Sequence, residues 1–216
     1  MKAVSHLISW LFLPLFMPVY GLLLVMYVPS DQDYFFNEES IYFLPPKAKL
    51  AILYMFFIFS VLAPALSFLI LHRRKIITTI DMENQRERNI PMFIMLAYCL
   101  VLYLLFVYKA PDGVLPKYIY ALPLAGVLVT ASYTYINRWI KISLHAGGAG
   151  IFTGFLMAYA SQQAEHQFWI LPMAVLLSAT IISARLFLGK HRPIEVYTGW
   201  SIATVVTFLV NFFYPI

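Results

Sequence analysis

Seven apolar stretches alternate with short polar segments along the chain: residues 6–28, 49–71, 91–109, 117–137, 145–160, 168–185 and 193–214. A helix crossing the hydrocarbon of a bilayer needs roughly 20 apolar residues. Most of these stretches reach that length; the fifth and sixth are short. Uninterrupted runs such as 50–71 lack the alternation of a barrel strand. In lipid every backbone polar group must be satisfied within the segment or within a closed barrel. The pattern therefore predicts an all-α, polytopic transmembrane helix bundle of six to seven spans, a single integral membrane domain over 1–216. Pro14 and Pro18 should bend or interrupt the first span. No small-x-small cleavage site follows it, so it reads as a retained helix.

Composition narrows the class. The chain has 216 residues, 62% hydrophobic and 12% charged, against about 45–50% and about 25% in a soluble domain. A soluble globular enzyme and a disordered chain are both excluded. The single cysteine, Cys99, can build neither a disulfide framework nor a thiolate metal site. The net charge is +5. In a membrane protein such an excess marks cytoplasmic loops or a lipid headgroup site, not nucleic acid.

If all seven stretches cross, the polar segments fall on two faces. Eleven of the Lys and Arg residues lie on the N-terminal face and four on the other. The positive-inside rule makes the first face cytoplasmic. Six of the eleven (Arg86, Arg88, Lys141, Arg185, Lys190 and Arg192) are also candidates for holding phosphate. Without them the count is five against four, so the orientation stays open.

Ionisable residues at membrane helix ends are the candidates for chemistry. The densest group runs from Arg185 through Gly189, Lys190, His191, Arg192 and Pro193 to Glu195. Pro193 suits a first helical turn. Glu195, four residues after His191, can reach one imidazole nitrogen and leave the other as a nucleophile. Arg185 can offer a forked guanidinium to phosphate. The other reading of this group is a basic loop snorkelling to headgroups. A second group, Lys141-Ile-Ser143-Leu-His145-Ala-Gly147, opens the fifth span. Ser143 is a candidate N-cap, the helix start is an anion site, and His145 can give a proton to a leaving oxygen. Gly150 and Gly154 form a G-x-x-x-G, read as close helix packing. Asp81, Glu83 and Glu87 make one loose acidic cluster. A prenyltransferase of the UbiA type needs two Asp-rich motifs, and no metal is expected.

Together the two groups resemble the type 2 phosphatidic acid phosphatase superfamily. Ile142-Ser143-Leu144-His145 keeps the Ser and His of the family's Pro-Ser-Gly-His motif. Ala184-Arg185, five residues, His191, three residues and Glu195 follow its Ser-Arg-x5-His-x3-Asp motif. The resemblance covers about residues 117–214. The motif Lys-x6-Arg-Pro is absent; Arg86-Glu87-Arg88-Asn89-Ile90-Pro91 is the nearest material, and Glu195 stands for the closing Asp. The chain reads as a divergent member with one span beyond the family's six.

The resemblance implies hydrolysis of a lipid phosphomonoester or pyrophosphate without metal or cofactor. His191 would be the nucleophile, Glu195 its orienting partner and His145 the proton donor. Arg185, Ser143, Lys141, Arg86, Arg88 and backbone N–H groups around Ala146 and Gly147 would hold the phosphate oxygens. The implied partners are a lipid-linked phosphate and the bilayer of a bacterial inner membrane, with oligomeric state unspecified. The alternative is a catalytically silent membrane protein of the same fold, with a lipid-binding or structural role.

Overall fold

The computed structural model describes residues 2–32, 40–79, 84–110 and 115–215. Its helices are α1 (Lys2–Leu11), α2 (Met17–Tyr27), α3 (Pro46–Phe56), α4 (Ala63–Arg73), α5 (Asn89–Lys109), α6 (Lys117–Ile136), α7 (Leu144–Ala160), α8 (Ile170–Phe187) and α9 (Pro193–Phe213). A π-helical stretch, Phe57–Leu62, joins α3 to α4 in one continuous rod, Pro46–Arg73. Among the described residues the regular structure is helical apart from a two-stranded ribbon. Among the described residues, five helices are long and apolar enough to cross a membrane: Pro46–Arg73, Arg86–Lys109, Lys117–Ile136, Ile170–Phe187 and Pro193–Phe213. Helices of this kind suit an integral membrane protein.

The first apolar stretch differs from one long span. It is cut into α1 and α2 around Pro14, while Pro18 sits in the first turn of α2, where its missing N–H costs nothing. Breaking the helix leaves the last carbonyls of α1 without intrahelical partners. Tyr20 Oη donates to the Leu11 carbonyl at 3.0 Å.

Two of the polar connections pair with each other. Strand β1 (Ser30–Gln32) lies antiparallel to β2 (Gln163–His166), with Ser30 opposite His166. The hydroxyls of Ser30, Ser40 and Tyr159 close a ring at 2.8–2.9 Å and pin this ribbon to the end of α7.

Helix α7 is the axis of the bundle. Nearly all of it is buried, against α9, α8, α2 and α6. Its small residues permit this. A Cβ on Gly150 would stand 2.5 Å from the Trp200 carbonyl oxygen, and one on Gly154 would strike that of Thr204. The expected G-x-x-x-G packing therefore falls between α7 and α9, backbone on backbone. These two helices run parallel: Ser143 meets Gly199, and Gly150 meets Ala203. Helix α8 returns antiparallel, with Thr153 Oγ1 and Ser178 Oγ 2.8 Å apart. The N-termini of α7 and α9 consequently sit side by side, and the Ser143 N–H donates to the Glu195 carbonyl at 3.1 Å. This places both sequence motifs at one end of the bundle.

Candidate functional site

The turn between α8 and α9 is shaped by local rules. Gly189, at φ +66°, takes the left-handed conformation that ends a helix without a Cβ penalty. The Gly189 N–H donates to the Leu186 carbonyl at 3.0 Å, and the Lys190 N–H to that of Arg185 at 3.2 Å. This Schellman closure reverses the chain and carries His191 back over the end of α8. Pro193 then opens α9, with Glu195 in its first turn.

Glu195 does two things there. Its Oε2 accepts the Arg192 N–H at 3.3 Å, capping α9, and lies 2.9 Å from His191 Nδ1. An ionised carboxylate can only accept, so Nδ1 is the donor and Nε2 keeps the lone pair. Burial, together with the Arg88 and Arg185 charges and against the pull of Glu195, pushes the His191 imidazole down to about 4. The ring is neutral and nucleophilic at physiological pH.

Two cavities meet at His191. The smaller, about 240 Å³, is lined by Arg88, Lys141, Arg185, Lys190 and His191 with the turn at Gly189. The larger, about 800 Å³, takes in Arg88, Arg185, His145 and His191 as well, but is otherwise mostly apolar. It reaches Leu102, fourteen residues along α5 from Arg88, or about 21 Å at helical rise. Its volume is in the range that encloses most of a small ligand. The arrangement offers a cationic compartment for an anionic head and an apolar one for a chain behind it.

Arg88 and Arg86 separate. In the tight turn 86–88 residues two apart point in different directions. Arg88 is 2% exposed, and its Nη1 donates to the Ile142 carbonyl at 2.5 Å. The segment behind it is clamped to the end of α6: Asn137 Nδ2 donates to the Gln85 carbonyl at 2.9 Å, and Gln85 Nε2 donates to the Asn137 carbonyl. Arg86 is exposed and lines neither cavity. Arg192 also turns outward, its side chain 83% exposed, with Nε 3.3 Å from Glu195 Oε1.

The second motif divides in the same way. Lys141 lines the cationic cavity, and its Nζ donates to the Lys190 carbonyl at 3.4 Å. Ser143 is fully buried, and its hydroxyl is engaged as the N-cap of α7, accepting the Ala146 N–H at 3.4 Å. The Gly147 N–H donates to the Ser143 carbonyl at 3.0 Å. Both amides expected to face phosphate are thus taken by the helix itself. Gly147 lines the apolar cavity, and a Cβ there would collide with the Tyr133 ring. Tyr133 in turn donates to the Gly199 carbonyl at 2.5 Å.

His145 also lines the larger cavity, and its Nε2 lies 3.2 Å from the Ser9 carbonyl of α1. Sequence reasoning missed Ser9. The available signal was Pro14, which ends α1 and leaves carbonyls to be satisfied. Asp81 and Glu83 lie outside the described residues. Glu87 accepts the Thr78 N–H at 2.7 Å. Among the described residues no group of three or more His, Cys, Asp and Glu could hold a metal ion.

Comparison with protein-family models, with curated proteins and with solved structures finds no match to this chain.

Proposed function

We propose that this chain is a membrane-embedded phosphatase or phosphotransferase for a lipid-linked phosphate, a divergent relative of the type 2 phosphatidic acid phosphatases. One observation carries the reading: a carboxylate-paired histidine lies between a pocket of four cationic side chains and a deep apolar cavity. Phosphoryl transfer spreads negative charge over three equatorial oxygens, so positioned cations supply most of what the reaction needs.

In the first step His191 Nε2 forms a bond to phosphorus and the bond to the leaving oxygen breaks. That oxygen takes a proton from His145 Nδ1, to which the substrate's monoanionic phosphate has first passed its own, while the Nε2–H stays on the Ser9 carbonyl, and Glu195 steadies the charge gained by the His191 ring. In the second step water adds to phosphorus, the P–N bond breaks, and the water proton returns to His145. Arg88, Arg185, Lys141 and Lys190 hold the phosphoryl oxygens. In this reading α7 is a sixth span and α1–α2 a broken seventh, in a bacterial inner membrane.

A second reading, a silent lipid-binding protein of the same fold, draws on the Ser143 hydroxyl and the Ala146 and Gly147 amides being engaged within α7. Phosphate release decides between them. The purified protein is offered dioleoyl phosphatidic acid, phosphatidylglycerol phosphate and undecaprenyl diphosphate in detergent with EDTA. Release from any of them supports the enzyme; no release from all three, with binding retained, supports the silent protein.

A further inference from the structure

Helix α1 looks at first like a membrane anchor. It is a short helix, with Val4, Leu7, Trp10 and Leu11 exposed and Ser5 and Ser9 turned inward. Its inward side, however, packs on α8 and forms a wall of the larger cavity through His6, Ser9 and Trp10. Two independent observations meet at Ser9.

The first is its carbonyl. It is one of the last four of α1 and has no intrahelical donor once Pro14 has ended the helix. It lies 3.2 Å from His145 Nε2. A carbonyl only accepts, so Nε2 must carry the hydrogen. The second is its hydroxyl. Ser9 is 5% exposed, and its Oγ is buried with no hydrogen-bond partner among the described residues, although the residue lines the cavity. A serine in a helix can ordinarily bond back to its own helix, and an unmet buried hydroxyl is costly. An occupant of the cavity with a polar atom at that depth would meet it.

We propose that α1 is a working wall of the site and not an anchor, joined to it by Ser9. Its carbonyl fixes the His145 ring, and its hydroxyl binds a polar atom of the substrate behind the phosphate. Ser9 is thus a positioning residue for His145 and a binding residue for the substrate. The second part rests on the phosphatase reading; the first does not.

The test uses full-length protein in detergent with ¹⁵N-labelled histidine, His145 being assigned through His145→Gln. The expected result is a neutral His145 ring with hydrogen on Nε2. Replacing Trp10 by its α-hydroxy acid turns the Ser9 carbonyl into a weaker ester acceptor. The Nε2–H form of His145 should then lose population to Nδ1–H, while His191, held by Glu195, keeps its signals. A His145 ring protonated on Nδ1 in the unmodified protein, or indifferent to the ester, overturns the positioning role.

With dioleoyl phosphatidic acid as probe, Ser9→Ala should raise KM about three- to tenfold, as loss of one hydrogen bond does, and leave the His145 tautomer alone. Ser9→Thr should restore most of it. An unchanged KM in Ser9→Ala overturns the binding role. If unmodified protein releases no phosphate, the phosphatase reading and the binding role fall together, while the histidine spectra still decide the role of the α1 carbonyl.

Discussion

The two histidines of the site are held in opposite ways. His191 is locked by a carboxylate four residues away on its own helix end. His145 is held by a neutral carbonyl 136 residues away in the sequence, on a helix that packs against α8. A carboxylate stabilises positive charge on the ring it touches far more than a carbonyl does. On the proposed mechanism the contrast separates the parts: the ring beside Glu195 can take on charge as it attacks, and the ring beside Ser9, its Nε2–H tied to the carbonyl, carries the transferred proton on Nδ1. Two equal imidazoles acquire unequal jobs from the charge of the atom behind them.

Removing each ring in turn breaks the comparison most sharply. His191→Ala should abolish phosphate release, a loss of at least about 10⁴-fold in kcat, because the nucleophile is gone. His145→Ala should cost about 10²–10³-fold, the contribution of one general acid. Equal losses would mean that the two rings act as one unit. Single-turnover phosphate release reads both.

Glu195→Gln tests the charge behind His191 while keeping its shape. The amide can donate to Nδ1 and present the wrong tautomer, so kcat should fall about 10²-fold. Circular dichroism should show α9 intact, since glutamine still serves in a capping box.

The arginines make a smaller contrast. Arg88→Ala should raise KM about 10- to 100-fold, the value of a charged hydrogen bond to phosphate. Arg86→Ala should leave it unchanged. An effect at Arg86 as large as that at Arg88 would show that the turn 86–88 reorganises around substrate.

The mildest probe is acidity. Folded His191 sits near 4, below its ordinary value of 6.5. As pH falls from about 6.5 towards 4 the unfolded chain binds the proton first, so stability declines across that window and levels off below it. The attacking ring itself stays neutral until about pH 4, so kcat/KM should hold down to that pH and then drop. A limb near 6.5 would show His191 to be better hydrated than its burial indicates.

Most of the helix positions were legible because lipid demands long apolar runs, and the turn at 185–195 because glycine, proline and an i, i+4 acid act locally. That α7 would pack closely against another helix was legible from Gly150 and Gly154; that the other helix is α9 was not. Three more things were not. The choice between Arg86 and Arg88 depends on the sense of one tight turn. The engagement of Ser143 follows from its being a good N-cap, which competes with phosphate for the same hydroxyl. The link from Ser9 to His145 joins distant segments, and no local pattern encodes it. The ribbon of Ser30–Gln32 and Gln163–His166 escaped for the same reason.

The backbone contact at Gly150 and Gly154 also bears on how a guest would reach the cavity. With the Trp200 and Thr204 carbonyls pressed against those glycines, nothing can slide between α7 and α9. Phe68 and Leu69 of α4 and Met92 and Met95 of α5 border the larger cavity, and side chains swing aside where backbones cannot. If the proposed function holds, the way in for a long-tailed guest would be sideways past α4 and α5, while the α7–α9 contact keeps the starts of the two helices that bear the histidine motifs together.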